Sequence, residues 1–362
     1  MKKTYDVAVF HGDGIGPEIM TPTLEILRQL SGNNPSYELA FTDAPAGAGH
    51  YAKTGESFPA GSLETARNAD AILLSAMGLP DVRYPDGTEI SPQIDLRKKL
   101  GLFAGVRPVK VSSGQITPLA LPPGKEIDFV LIRESTEGLF FTQGAGEVTK
   151  DEARETLLIT REVSEKLFRF AFELARNRKR NGRGRGRVTC VDKANVFRAF
   201  AFFRSMFDSE AAHYPELQAD HAYVDATALW MVQKPWEFDV LVTENMFGDI
   251  LSDLGAGLMG GLGLAPSADI GLKHAVFQPC HGSAPDIAGQ GIANPFAMIL
   301  SAAMMLEWLG LTHDHPDLSS DGERLREAVD KVTANGQNLT RDLGGTAGTQ
   351  DAASSVLEAL RA

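Results

Sequence analysis

The chain has 362 residues, more than one compact core usually serves, so two domains are expected. Hydrophobic residues make up 43% and charged residues 23%, an ordinary soluble balance, and the formal net charge of −12 argues against a general nucleic-acid binder, which needs a basic footprint. No stretch approaches the roughly 20 apolar residues that a membrane span requires, and the apolar run in the opening "MKKTYDVAVFHGDGIG" is too short for a signal peptide, so a cytoplasmic location is expected.

In chain order, "YDVAVF" reads as a strand, followed by the glycine-rich turn "GDGIG" and the helix "PEIMTPTLEILRQL". Pro17 suits a helix start, where its missing N–H would be unpaired anyway. "ADAILLSAM" and "IDFVLI" read as strands, then "KDEARETLLITREVSEKLFRFAFELARN" as one long helix. Next come the strand "RVTCVD", a helix from about Asn195, the strands "HAYVDA" and "FDVLVTEN", and a helix opening near Gly248. The strand "HAVFQPC" and the helix "NPFAMILSAAMMLEWLG" continue the alternation, which predicts an α/β protein with a largely parallel sheet. The basic run Arg176 to Val188 reads as a helix C-terminus followed by a glycine turn rather than a nucleic-acid contact. Cys190 and Cys280 read as reduced, buried thiols.

The loop "GDGIG" falls short of the dinucleotide fingerprint G-x-G-x-x-G, and Asp13 inside it would repel a pyrophosphate. A tight turn that lets backbone approach a ligand is the favoured reading. Asp249 and Asp253 stand four apart in "FGDILSD", so a helix projects both from one face. Two acids near a helix N-terminus also complement its dipole, but like charges at this spacing repel, and Mg2+ or Mn2+ would relieve them. Asp225 lies among apolar residues expected to bury it. Arg97, Arg107 and Arg133 carry guanidinium forks that match carboxylates, although each alone suits a surface ion pair. Arg133 follows the apolar "DFVLI", where charge is costly unless it meets a partner. Lys193, just past "RVTCVD", is a candidate general base, or else a lysine reaching solvent.

In order, "GDGIGPEI", "LRKKLGLFAGVRPVK", "RESTEG", "VDKANV", "YVDA", "FGDILSD" and "HGSAPDIAGQGIANP" make the chain resemble the metal-dependent β-decarboxylating dehydrogenases: isopropylmalate, isocitrate, homoisocitrate and tartrate dehydrogenases. The resemblance implies an open α/β fold of two domains, not a Rossmann fold. Residues 1–102 plus 259–362 would bind the dinucleotide, and residues 103–258 the substrate and metal, and would dimerise. It also implies a homodimer with a shared active site, each site taking Lys193 and Asp225 from the neighbouring subunit. Asp225, Asp249 and Asp253 would hold Mg2+ or Mn2+, with K+ a candidate accessory ion. Lys193 would receive the substrate hydroxyl proton, and Arg97, Arg107 and Arg133 would clamp carboxylates. NAD would bind at Ile15, Asn195, His281, Gly282, Ser283, Asp286, Ile287 and Asn294. The carboxylate of Asp286 would accept ribose hydroxyls and repel a 2′-phosphate.

Two departures bear on chemistry. Isopropylmalate and isocitrate dehydrogenases carry an acid tyrosine where this sequence has Phe140, which has no proton to give. A working decarboxylase with another proton source, an oxidation that stops at the 2-keto acid, and a non-catalytic regulatory subunit each follow from that change; the retained lysine, aspartates and arginines favour an enzyme. Ser91 and Gln93 stand where the resemblance expects substrate selection, which favours a polar-tailed 2-hydroxy di- or tricarboxylic acid over an isopropyl group; a solvated loop with no selective role is the alternative.

Overall fold

The computed structural model describes residues 2–112 and 114–361. The chain divides into two compact units, one of Met1–Leu100, Gly114–Ile116 and Gly260–Ala362, the other of Gly101–Ser113 and Thr117–Met259. In chain order the first unit opens with β1 (Lys3–Phe10), α1 (Gly16–Asn33), β2 (Tyr37–Asp43), α2 (Ala48–Thr54), α3 (Ala60–Asn68), β3 (Ala71–Leu74) and α4 (Pro92–Leu100). The second unit runs through β4 (Ala104–Val111), β5 (Ile127–Glu134), β6 (Glu147–Val148), β7 (Ala153–Arg154), α5 (Arg161–Arg180) and β8 (Arg187–Asp192). It continues with α6 (Arg198–Ala211), β9 (Gln218–Tyr223), α7 (Val224–Gln233), β10 (Val240–Thr243) and α8 (Asn245–Leu258). The first unit closes with β11 (Pro266–Ile270), β12 (Ala275–Pro279), α9 (Phe296–Thr312), α10 (Pro316–Asn335) and α11 (Thr349–Arg361).

In the first unit the strand order is β2-β1-β3-β12-β11. β1 pairs in parallel with β2 and β3, β3 with β12, and only the β11–β12 pair is antiparallel. All four residues of β3 are buried, as expected where helices cover both faces. α9 is apolar on every side and buried through Met298, Ile299, Ala302, Met305 and Leu306, so it serves as a core helix rather than a surface one. Among the described residues, no helix is long and apolar enough to cross a membrane.

In the second unit the order is β4-β5-β10-β8-β9. β4 and β5 are antiparallel and the remaining pairs parallel. α5 buries Leu167, Phe168, Ala171, Phe172 and Ala175, one stripe at helical spacing. Phe168 meets Phe203 of α6 at 4.6 Å between ring centres and Phe172 meets Phe207 at 5.2 Å, so truncating one ring would cost about 3–5 kcal/mol.

Several boundaries differ from the sequence pattern for visible reasons. The expected long helix starts only at Arg161, because Thr160 caps it by accepting the N–H of Val163. The residues before it form the β6–β7 hairpin, turned by Thr149, whose hydroxyl accepts N–H groups from Asp151 and Glu152. The helix expected from Asn195 begins at Arg198, since Asp192 accepts the N–H of Ala194 and holds the chain in a turn. α8 opens before Gly248, where Glu244 accepts the N–H groups of Met246 and Phe247. The basic run is spent on ion pairs: Arg178 with Asp128 and Asp239, Arg185 with Glu237, and Arg187 with Asp220. Cys190 is buried and Cys280 only half-buried, and neither forms a disulfide among the described residues.

Candidate active site

Arg133 is the last residue but one of β5, and its buried charge is met from several sides. Its Nε donates to Oδ1 of Asn245 at 2.9 Å, and its Nη1 pairs with Asp249. Its Cζ lies 5.1 Å from the centre of the Phe140 ring. α8 can approach this closely because Gly248 has no side chain: a Cβ there would stand 2.6 Å from Cβ and Cγ of Arg133. Asn245 turns its other amide atom, Nδ2, to the carbonyl of Glu137 at 2.8 Å, tying the loop after β5 to the start of α8.

One turn further along α8, Asp253 follows Asp249 on the same face. Burial, and then the Asp249 carboxylate, push the Asp253 carboxyl upward; Arg133 and Arg107 oppose them. Two exposed carboxylates that repel suit a hard divalent cation, which takes oxygen donors and removes the repulsion. The donor chemistry therefore fits Mg2+ or Mn2+. Asp225 corrects the sequence expectation of burial: it sits in the first turn of α7 with a side chain 68% exposed. The apolar neighbours in sequence point elsewhere because the segment leaves β9 for a helix at Val224. Its Oδ1 accepts from Lys193 Nζ at 2.6 Å, and that hydrogen bond holds the carboxyl below its ordinary range. Among the described residues no three Asp, Glu, His or Cys side chains of one chain gather to hold an ion.

In the first unit the glycine loop is a tight turn. Gly12 and Gly14 have φ of 75° and 57°, and a Cβ on Gly14 would meet the carbonyl oxygen of Ser283 at 2.0 Å. Asp13, expected within this loop to repel a pyrophosphate, is turned inward. Its buried carboxylate accepts the N–H groups of Ala48, Gly49 and Gly78, each at 2.8 Å, so it anchors the loop instead of repelling a ligand. Ile15 is buried and donates its N–H to Ser283, whose hydroxyl donates to the carbonyl of Gly78. His281 has a buried Nε2 with no hydrogen-bond partner, and burial lowers the imidazole below its usual range. A ligand atom would satisfy that nitrogen. Asn294 is engaged internally, donating to Asp342 and accepting the N–H of Phe296. Gly282 and Asp286 are exposed and Ile287 is half-buried. Ala284 between them adopts φ of 37°. Glu18 of α1 secures the following loop by accepting the N–H groups of Gly289 and Ala293.

Arg97 on α4 donates from Nε to the fully buried Asp269 of β11 at 3.0 Å, and Gln278 donates to the same carboxylate at 2.9 Å. Ser91 and Gln93 flank the start of α4, and Ile90 beside them is fully buried. The Oε1 of Gln93 is buried without a partner. Asn195 is exposed in the turn after Lys193 in the second unit.

A family model described as isocitrate/isopropylmalate dehydrogenase matches residues 6–360. The chain belongs to that family. It is 41% identical to 3-isopropylmalate/3-methylmalate dehydrogenase of Methanocaldococcus jannaschii, over 99% of both chains. It is also 41% identical to homoisocitrate dehydrogenase of the same organism, over 98% of this chain and 97% of the relative. Isocitrate dehydrogenase from Methylococcus capsulatus superposes with a TM-score of 0.86 at 36% identity, covering 99% of this chain and 100% of that one.

This member of the isocitrate/isopropylmalate dehydrogenase family is a dehydrogenase with the α/β fold of that family. The family motifs mark its ionic side chains but not their supports. Asn245 under Arg133, Asp269 under Arg97, and Arg204 under Asp192 were not singled out by pattern. Each lies on a different element from its partner, so no local spacing links the two.

Proposed function

We propose that the chain is an NAD-dependent, divalent-metal-dependent dehydrogenase that oxidises a 3-substituted, malate-type 2-hydroxy acid and releases CO2 from the 2-keto product. The observation that carries this reading is the face of α8 where Asp249 and Asp253 stand beside the fixed guanidinium of Arg133. It offers anionic oxygens for a cation next to a cation for a carboxylate. A bound Mg2+ or Mn2+ would supply Lewis-acid polarisation of the substrate's oxygens.

The chain's own residues do the rest. Arg97, Arg107 and Arg133 orient carboxylates. Lys193 takes the hydroxyl proton while hydride leaves C2 for the nicotinamide of NAD. The bond from C3 to its carboxylate then breaks, CO2 departs, the electron pair passes into the 2-keto group as an enolate, and water or another side chain gives C3 its proton. The orphaned Nε2 of His281 and the exposed Asp286 support a dinucleotide in the first unit, Asp286 selecting NAD by accepting ribose hydroxyls. The unpartnered amide oxygen of Gln93 supports a polar group at the substrate's C3 substituent.

A homodimer is supported by apolar side chains left bare on the helices that carry the acids: Leu229 and Val232 of α7, 53% and 47% exposed, and Ile250 of α8, 63% exposed. In that dimer Lys193 and Asp225 act in the neighbour's site. The test is NADH formation over a panel of 2-hydroxy di- and tricarboxylic acids with Mn2+, and with chelator as control. Silence across the whole panel rejects the reading.

Phe140 favours a second reading, oxidation without loss of CO2, because its ring packs on Arg133 and offers no proton to C3. The molar ratio of CO2 to NADH decides: a ratio near one supports decarboxylation, and a ratio near zero the simple oxidation.

A further inference from the structure

The turn that carries Lys193 rests on a buried charge. Asp192, the last residue of β8, is fully buried and takes two hydrogen bonds from Arg204 of α6, from Nε and Nη2, each at 2.7 Å. It also accepts the N–H of Ala194 at 2.8 Å, which fixes the backbone on the far side of Lys193. Arg204 in turn lies over the ring of Tyr223, with Cζ 5.3 Å from its centre. Lys193 Nζ lies 5.9 Å from the centre of the same ring and 2.6 Å from Asp225 Oδ1.

This convergence follows from the topology. Asp192 and Tyr223 are register partners on the parallel strands β8 and β9, so the residues that follow each leave the sheet side by side. Tyr223 also stands at the N-cap of α7, two residues before Asp225, so its backbone is fixed by a strand on one side and a helix on the other. Lysine is the opposite case: a flexible four-carbon stem with a compact charge, which needs external restraint to hold one position. An aromatic face supplies that restraint through its quadrupole. Because Asp192 neutralises Arg204, the two cations near one ring repel little.

We propose that Tyr223 is the positioning residue for Lys193: its ring, braced by Arg204 and the buried Asp192, holds the lysine amine at Asp225. The inference rests on the proposed role of Lys193 in proton transfer. The aromatic face is what matters, so Phe replaces Tyr223 and an aliphatic side chain does not.

The test uses the full-length protein with Y223F, Y223L and K193M, assayed on its best hydroxy-acid substrate. Removing Arg204 is avoided, since it would strand a buried carboxylate and unfold the region. In Y223L, kcat falls about three- to tenfold, the range of one cation–π contact, with KM for the acid and the melting temperature unchanged. Y223F keeps kcat within about twofold of wild type, because the ring face remains. Acylation of Lys193 by an N-hydroxysuccinimide ester, read by peptide mass spectrometry, runs about threefold faster in Y223L than in wild type. Wild-type kcat and acylation in Y223L overturn the proposal. So does equal loss in Y223F and Y223L accompanied by a lower melting temperature, which marks a merely structural ring. Full turnover by K193M overturns the role of the lysine itself, and the acylation rates then still decide whether the ring holds the amine.

Discussion

Arg133 and Asn245 are joined by a 2.9 Å hydrogen bond inside the second unit, and neither is more than 5% exposed. The amide also serves Glu137, so N245A removes two buried hydrogen bonds at once. Each such bond is worth about 1–3 kcal/mol. The expected result is a lower melting temperature and a KM for the hydroxy acid raised about tenfold, with KM for the dinucleotide unchanged. An unaltered acid KM in steady-state assays would show that Arg133 needs no such support.

On the proposed reading, Asp249 and Asp253 together set a metal requirement. Turnover is expected to vanish on chelation and to return with Mg2+ or Mn2+. D253N should raise the metal concentration needed for half-maximal rate by about tenfold or more, because it removes one of few anionic donors. A metal titration in which D253N and wild type coincide removes Asp253 from the donor set.

F140Y restores a hydroxyl at the ring that packs on Arg133. If proton delivery to C3 limits the reaction, F140Y raises the CO2:NADH ratio or kcat by about tenfold, within the range of a positioned general acid. A variant with an unchanged ratio and rate places the proton source elsewhere.

Glu134 gives a pH signature. Burial pushes its carboxyl up to about 7 from the ordinary 4.5, although Thr136 donates to it twice at 2.6 Å and the N–H of Glu137 once at 2.7 Å. The folded protein therefore holds this proton more tightly than the unfolded chain. The associated stability is complete below about pH 4.5 and is lost as pH rises through about 7, a span of up to roughly 3 kcal/mol. E134Q has no such titration. Denaturant unfolding across that window should show wild type losing stability relative to E134Q, and parallel curves would refute the assignment.

Asp286 is expected to choose the dinucleotide. D286S loses the acceptor for ribose hydroxyls and the charge that repels a 2′-phosphate, so kcat/KM for NAD drops about tenfold and the gap to NADP narrows. Equal discrimination before and after the change excludes this carboxylate as the selector.

Much of the framework was visible in the residue pattern because buried parallel strands are short apolar runs. "YDVAVF", "IDFVLI" and "RVTCVD" became β1, β5 and β8. The i, i+4 spacing of Asp249 and Asp253 also carried over, since α8 spans both. The β6–β7 hairpin escaped notice because its residues are polar and helix-tolerant, and a threonine turn decides the outcome. The exposure of Asp225 is not legible from its apolar neighbours in sequence, because the strand passes directly into a helix there. The supports escaped for a plainer reason. Asn245 is 112 residues from Arg133, and Asp269 is 172 from Arg97, distances over which no periodicity operates.

The bare Leu229, Val232 and Ile250 also carry a hazard for handling. In the proposed dimer they are covered, and a chain released from its mate would turn these greasy side chains to water while its own helices stayed intact. Solutions forced apart by dilution or mild chaotrope should therefore grow turbid before circular dichroism registers any melting.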